Sequence, residues 1–220
     1  MKKEAIVISL GGSLVVPGEI DTSFLKKFKS IVLGIKNRIY LYVGGGKTAR
    51  IYQKAGSAFK VSNEEKDRLG ILASRINAEL VRQVFKSSEV INDPSKKISS
   101  KKRIIVLGAW KPGRSTDYGS VVLAKNVGAR TIINLTNIDY VRDKDPREFK
   151  DAKPLKSISW KDFRKIIPKK WSPGLSSPFD PEASKMAERL KLKVIIINGK
   201  NLDRLEDFLN NKPFIGTIIS

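Results

Sequence analysis

The sequence predicts an α/β fold with a largely parallel central sheet, and three observations carry that prediction. Short apolar runs almost free of charge alternate with longer stretches of helical periodicity. Those runs are continuous rather than alternating, as strands buried on both faces are. The first two of them stop at glycine clusters, and in open parallel sheets ligands bind beyond the carboxyl ends of the strands. A closed barrel fits less well, because the strand–helix units are too few and unevenly spaced.

The elements follow in order. Residues 5–10 are apolar apart from Ser9 and form the first strand, ended by Gly11-Gly12-Ser13. In 24–34, Phe24, Leu25, Phe28, Ile31 and Val32 fall three or four apart, with Ile35 just beyond, giving a helix. Residues 39–43 are the second strand, and after Gly44-Gly45-Gly46 a helix is expected from about Thr48. The clearest helix is 64–85: Leu69, Leu72, Ile76, Leu80 and Val84 line one stripe, and Arg68, Arg75 and Arg82 fall on a neighbouring face. Residues 92–102 are a polar loop, 104–107 a strand, 118–127 a helix and 131–135 a buried strand. A loop at 146–154 precedes a short helix at 160–167, which Pro168 ends. The turn-rich stretch KKWSPGLSSPFDP leads to a helix at 181–190, a strand at 194–197, a helix at 202–209 and a short final strand in FIGTII.

At 220 residues the chain suits a single domain with an ample core. It has no cysteine and no histidine, which excludes disulfides, thiolate chemistry, Ser-His-Asp catalysis and the usual zinc sites. A metal ion here must be a hard one held by carboxylates and phosphates, most simply Mg²⁺. Lys and Arg total 43 against 22 Asp and Glu, a net charge of +21, which attracts polyanions from small phosphates to nucleic acid. The positive residues are scattered, and no zinc-finger spacing or ribonucleoprotein aromatic signature accompanies them. The opening MKKEAIVISLGGSLVV imitates a signal peptide, but Glu4 heads the apolar run, Gly11-Gly12 interrupts it and no small-residue cleavage site follows. A cytoplasmic protein with no membrane span is expected.

The glycine clusters raise the functional question. Glycines after a buried strand let backbone approach a ligand, and helix-terminal N–H groups can meet an anion there. Lys47 and Arg50 add charge, and Arg50 offers a bidentate fork to a phosphate. A plain turn explains one such cluster about as well, but Gly11-Gly12-Ser13 repeats the arrangement. Neither matches GxxxxGK[ST] or GxGxxG, so those phosphate-loop mechanics do not transfer. GAWKPGRSTD supplies Arg114, Ser115, Thr116 and Asp117 just ahead of a helix, where capping accounts for only one of them. In TNIDYVRDKDP, Asn137, Asp139, Asp143 and Asp145 follow a buried strand, a pattern shared by solvated turns. Asp180, with Pro181 after it, suits a helix cap or a place opposite Asp117 across the sheet rim. Asp67 suits either a sugar hydroxyl or the helix dipole.

Taken together these motifs resemble the amino acid kinase superfamily, most closely the archaeal-type uridylate (UMP) kinases. The matching stretches are LGGSLV (10–15), VGGGKTARIY (43–52), KDRLGILASRINAELV (66–81), PGRSTDYGSVVLAK (112–125), TNIDYVRDKDP (136–146), FDPEASKMA (179–187) and GTII (216–219). They occur in the family's order over almost the whole chain, in the manner of a divergent relative.

The resemblance implies one three-layer αβα domain spanning 1–220, with the acceptor nucleotide mainly on 1–125 and ATP mainly on 130–220. It implies transfer of the γ-phosphoryl of ATP to UMP with Mg²⁺, in a homo-oligomer that in this family is usually a hexamer. Residue by residue, Gly11 and Gly12 match the glycines flanking the transferred phosphoryl, with Ser13 beside them on the ATP phosphates. Gly45, Gly46 and Arg50 match the surroundings of the UMP phosphate, Asp67 the carboxylate on the ribose, with Gly70 packed at the same site, and Thr116 a UMP contact. Asp117 and Asp180 match the organising carboxylates. Asn137, Tyr140, Val141 and Asp145 lie in the segment that wraps the ATP nucleoside.

Three departures stand out. Ser9 precedes the first glycine pair where many members carry lysine, Tyr140 replaces a usual glycine, and Gly108-Ala109-Trp110 replaces a second glycine pair. The absence of histidine argues against the related isopentenyl phosphate kinases, which place one by the acceptor phosphate. The alternatives are a kinase of another small acceptor, or a non-catalytic nucleotide- or nucleic-acid-binding protein.

Overall fold

Alternate side chains of the second strand, Ile-Tyr-Leu-Tyr-Val, leave the sheet on opposite faces, and the two faces meet different helices. Ile39, Leu41 and Val43 join one core, while Tyr40 and Tyr42 join the other. The computed structural model describes residues 4–170 and 177–220. The first three residues, and 171–176 within the turn-rich KKWSPGLSSPFDP, lie outside the described residues.

In chain order the elements are β1 (Ile6–Leu10), α1 (Gly12–Val15), α2 (Thr22–Gly34), β2 (Ile39–Val43), α3 (Gly46–Ala58), α4 (Asn63–Phe85), β3 (Val90–Ile91), β4 (Ile104–Leu107) and α5 (Thr116–Val127). Then follow β5 (Thr131–Thr136), β6 (Val141–Arg142), β7 (Pro154–Leu155), β8 (Ser157–Ile158), α6 (Trp160–Ile166), α7 (Pro181–Arg189), β9 (Lys193–Asn198), α8 (Asp203–Leu209) and β10 (Thr217–Ile219). The sheet runs β3-β4-β2-β1-β5-β9-β10-β8, parallel except where β10 meets β9. The α/β fold with a mostly parallel sheet is therefore as expected. Helices α1, α2, α4 and α8 cover one face and α5, α6 and α7 the other, which makes the three layers.

Local chemistry sets the helix ends. Asp21, Ser62, Ser115, Ser159 and Asp180 each accept a backbone N–H in the first turn of the helix they precede. Gly128 closes α5 in the left-handed conformation, at φ +70°.

The structure corrects three details. Helix α3 begins at Gly46 rather than near Thr48. Gly46 takes φ +59°, a conformation only glycine adopts cheaply, so the glycine run is itself the start of the helix. Short elements went unforeseen: the four-residue α1 and the two-residue strands β3, β6, β7 and β8. Segments of that length carry no readable periodicity.

The third correction concerns α4. The stripe expected to face the core leaves Leu72 and Ile76 at 61% and 65% exposure. The buried residues are Ala73, Ser74, Asn77, Ala78, Val81 and Phe85. Polar Ser74 and Asn77 turn inward because loop carbonyls wait for them there. Arg75, seven residues from both Arg68 and Arg82 as expected, donates its guanidinium to the Ala109 and Trp110 carbonyls.

The chain crosses from β4, on one side of β1, to β5 on the other, so the strand order reverses at β1. Register brings Leu10, Val43 and Leu135 side by side at one rim, with Leu107 beside Tyr42. The segments 11–13, 44–46, 108–117 and 136–145 all leave the sheet at that rim.

Candidate functional site

The two glycine clusters lie against each other. A Cβ at Gly12 would overlap the Gly46 nitrogen and approach the Gly44 carbonyl to 2.5 Å, and one at Gly44 would come within 2.7 Å of the Gly12 nitrogen. No side chain fits between the loops, so backbone touches backbone. Gly44 N–H donates to the Leu10 carbonyl, extending the β1–β2 ladder to the loop. The N–H groups of Gly12, Ser13, Gly45 and Gly46 find no acceptor among the described residues. They stand at the N-termini of α1 and α3, where the helix dipole adds positive potential.

Beside Gly45 and Gly46 opens a cavity of about 380 Å³ between α3, α4 and the 109–117 segment. It brings together Gly45, Gly46, Arg50, Asp67, Gly70, Thr116, Asp117 and Asp180 from the expected set. Lys111, Arg114, Gln53 and Ser74 also line it. Arg50, Lys111 and Arg114 are exposed at its wall, and Arg114 stacks 4.3 Å over the Tyr118 ring. Asp67 sits on α4, and one of its oxygens accepts the Gly113 N–H at 2.9 Å. That bond ties the 109–117 segment to α4 and leaves the second oxygen for a ligand. At Gly70 a Cβ would come within 2.6 Å of Gln53 Nε2, the mobile end of a side chain that can move aside.

Asp117 and Asp180 meet at one end of the cavity. Asp180 both caps α7 and faces Asp117: one oxygen accepts Ala183 N–H at 2.7 Å, the other the Ser115 hydroxyl at 2.6 Å. Its own N–H donates to Asp117 at 3.1 Å. Burial, and after it the negative Asp180, push the Asp117 carboxyl up to about 7, opposed by the Asp180 N–H and the Ser9 side chain. Ser9 itself is buried beneath the rim. Among the described residues no group of three or more acidic or other ligating side chains gathers. Two carboxylates nonetheless suit Mg²⁺, which takes phosphate oxygens and water for its remaining positions.

The remaining expected residues stand apart from this cavity. Gly11, Gly12 and Ser13 form the rim at α1. Asn137 is exposed beyond β5, and Tyr140 is half-buried. Val141 is buried in the core, and its N–H donates to the Thr217 hydroxyl at 2.9 Å. Asp145 is held by Arg147, whose guanidinium and N–H keep its carboxyl down at about 2.

Sequence reasoning passed over Ser74 and Asn77. Ser74 Oγ donates to the Val43 carbonyl at 2.7 Å and accepts Ala109 N–H at 2.8 Å, joining the loops after β2 and β4. Asn77 Nδ2 donates at 3.0 Å to both the Gly44 and Gly45 carbonyls. Their signal was present as two polar residues three apart within an apolar helical stretch, a place that helix propensity does not favour.

Comparison with known proteins points to one family. The model of the amino acid kinase family matches residues 4–198. Uridylate kinase of Pyrococcus abyssi is 36% identical over 215 residues, covering 94% of this chain and 96% of that protein. Uridylate kinase of Methanospirillum hungatei is 32% identical over 223 residues, covering 98% and 94%. The crystal structure of uridylate kinase from Archaeoglobus fulgidus superimposes with a TM-score of 0.83 at 29% identity, over 100% of both chains.

Proposed function

This chain belongs to the amino acid kinase family, and from that premise we propose that it transfers the γ-phosphoryl of ATP to UMP, giving UDP and ADP. One observation carries the reading: the cavity joins rim N–H groups and Arg50 at one place, Asp67 at another, and the Asp117–Asp180 pair at its end. That is the donor and acceptor pattern of a nucleoside monophosphate. The names of the similar proteins support UMP as the acceptor.

In this reading Gly45, Gly46 and Arg50 hold the acceptor phosphate, and Asp67 accepts from the ribose with the oxygen that Gly113 leaves unused. Gly70 lets the sugar lie close, and Thr116 contacts the nucleotide. The acceptor is already an ionised phosphate, so no general base is needed, and rate enhancement rests on positioning and charge neutralisation. Gly12 and Ser13 direct N–H groups at the phosphoryl in transit, and Gly11, whose own N–H is donated to the Leu135 carbonyl, holds the turn that presents them. Mg²⁺, when bound with ATP, neutralises charge on the phosphates. Asp117 and Asp180 would hold it, with Ser115 and the α7 amide fixing Asp180. The ATP nucleoside falls to Asn137, Tyr140, Val141 through its backbone, and Asp145, so that 1–125 serves mainly the acceptor and 130–220 mainly ATP within one domain.

Assembly into a homo-oligomer, with a hexamer as the working expectation, would use the adjoining outer faces of α3 and α4. Ile51, Tyr52, Leu72 and Ile76 are all more than half exposed there, an apolar surface suited to a second copy. Among the described residues no helix is long and apolar enough to cross a membrane.

An ADP-release assay tests the proposal. ADP should appear only when UMP is supplied with ATP and Mg²⁺, and Asp180→Asn should lower kcat by about 10²–10³, the usual scale for one preorganised electrostatic group. Asparagine caps helices as well as aspartate, so the variant should stay folded. Nucleotide binding without turnover of any monophosphate acceptor would refute the kinase reading.

A further inference from the structure

Helix α4 faces the sheet with an asparagine where a core helix ordinarily presents an apolar side chain, and the mechanism above gives that residue no task. We infer that Asn77 is a positioning residue: its amide orients the glycine peptides so that the Gly45 and Gly46 N–H groups are held toward the acceptor phosphate. The inference rests on the acceptor-site reading given above.

Asn77 is 5% exposed, and its Nδ2 lies 3.0 Å from the carbonyls of both Gly44 and Gly45. A trans peptide unit is planar, with its N–H opposed to its C=O. Fixing the Gly44 carbonyl therefore fixes the Gly45 N–H, and fixing the Gly45 carbonyl fixes the Gly46 N–H. Both N–H groups then point away from Asn77. The restraint matters because three consecutive glycines have the widest choice of backbone conformations. The Gly45 carbonyl has a second partner in Ala49 N–H, but Gly44 has no other among the described residues. Asn77 is thus the side chain that decides how the first peptide of the loop is turned.

Because those N–H groups meet the acceptor phosphate before and during transfer, losing their alignment should act mainly on acceptor binding. Asn77→Leu keeps the bulk and removes both donors, whereas Asn77→Ser keeps one donor. With wild-type kcat as reference, Asn77→Leu should raise the KM for UMP about ten- to thirtyfold, as expected for two lost neutral hydrogen bonds. Asn77→Ser should fall between, and the KM for ATP should stay within about twofold in both. A general structural defect would instead raise both KM values or lower kcat alone. Either pattern, or an unchanged UMP KM in folded Asn77→Leu, overturns the inference. If Asn77→Leu does not fold, Asn77→Ser decides alone.

Amide NMR separates this outcome from failure of the kinase reading. Should the wild type turn over no UMP, titration with UMP or inorganic phosphate should still shift its Gly45 and Gly46 amide signals, and those of the Asn77 variants only at concentrations higher by about the same ten- to thirtyfold or less. Wild-type amides that ignore both probes, or variants that respond as the wild type does, would sink the positioning role.

Discussion

Three buried serines differ in how many partners their hydroxyls have, and removing the same oxygen from each should cost correspondingly different amounts. Ser74, at 1% exposure, donates to Val43 and accepts from Ala109 across two loops. Ser184, fully buried, donates only to the Pro181 carbonyl one turn back in α7. Ser120, also fully buried, has no partner among the described residues. Ser74→Ala loses a neutral hydrogen bond worth about 1 kcal/mol net and strands the Ala109 N–H at about 1–3 kcal/mol more, or about 2–4 kcal/mol together. Ser184→Ala loses one bond to a carbonyl that α7 already uses, about 0.5–1.5 kcal/mol. Ser120→Ala should lie within about 0.5 kcal/mol of zero or stabilise slightly, since an unmet polar group leaves the interior. For a chain of this length each kcal/mol moves Tm by about 2–4 °C, so Ser74→Ala should melt roughly 4–16 °C lower. Urea midpoints with unchanged m-values would confirm that stability alone has changed. Equal losses at all three positions would refute the argument, since burial of the oxygen rather than its partners would then govern the cost.

Two further predictions follow from the same geometry. Between 3.8 and about 7, folded Asp117 keeps a proton that the unfolded chain has released, so unfolding sheds a proton and this carboxyl's contribution to stability falls as pH rises across that window. Denaturation midpoints from pH 4 to 8 should therefore rise in Asp117→Asn relative to wild type toward neutral pH and then level off; a difference independent of pH would contradict the raised value. On the outer face, Leu72→Glu with Ile76→Glu should convert a multi-chain assembly to single chains by sedimentation while each chain stays folded, because within one chain both side chains face solvent. A wild type that sediments as one chain would end the interface reading.

Much of the fold was legible because its strands are buried on both faces. Runs such as Ile39–Val43 need no partner pattern to be recognised, and they appear in the structure at the same bounds. Helix α4 shows where that logic stops. Periodicity finds an apolar stripe, but α4 has two, and the inward one is interrupted by Ser74 and Asn77. Their partners are carbonyls brought near by β2 and β4, which are distant in sequence, so no local rule points them inward. The gathering of residues around the cavity was legible for a related reason. Its residues sit at strand ends or first helical turns, where residue type and position have a direct meaning. The 136–145 segment is less so: Val141 packs its side chain in the core and Asp145 is taken up by Arg147, pairings that depend on β7, β10 and a neighbouring turn.

The glycine clusters posed a choice between a steric role and a ligand role, and the interlock of Gly12 with Gly44 and Gly46 removes the opposition. Each of these residues is glycine because the other loop's backbone occupies the space of its side chain. That same contact sets the N-termini of α1 and α3 side by side, and the N–H groups of Gly12, Ser13, Gly45 and Gly46 have no acceptor among the described residues. These donors lie so close together only because no Cβ separates the two loops. A methyl group at Gly12 would therefore part the loops and move these donors away from one another. The steric requirement is the means by which the sequence builds the electrostatic one, and Arg50, one turn along α3, adds its charge to a site the backbone has already polarised.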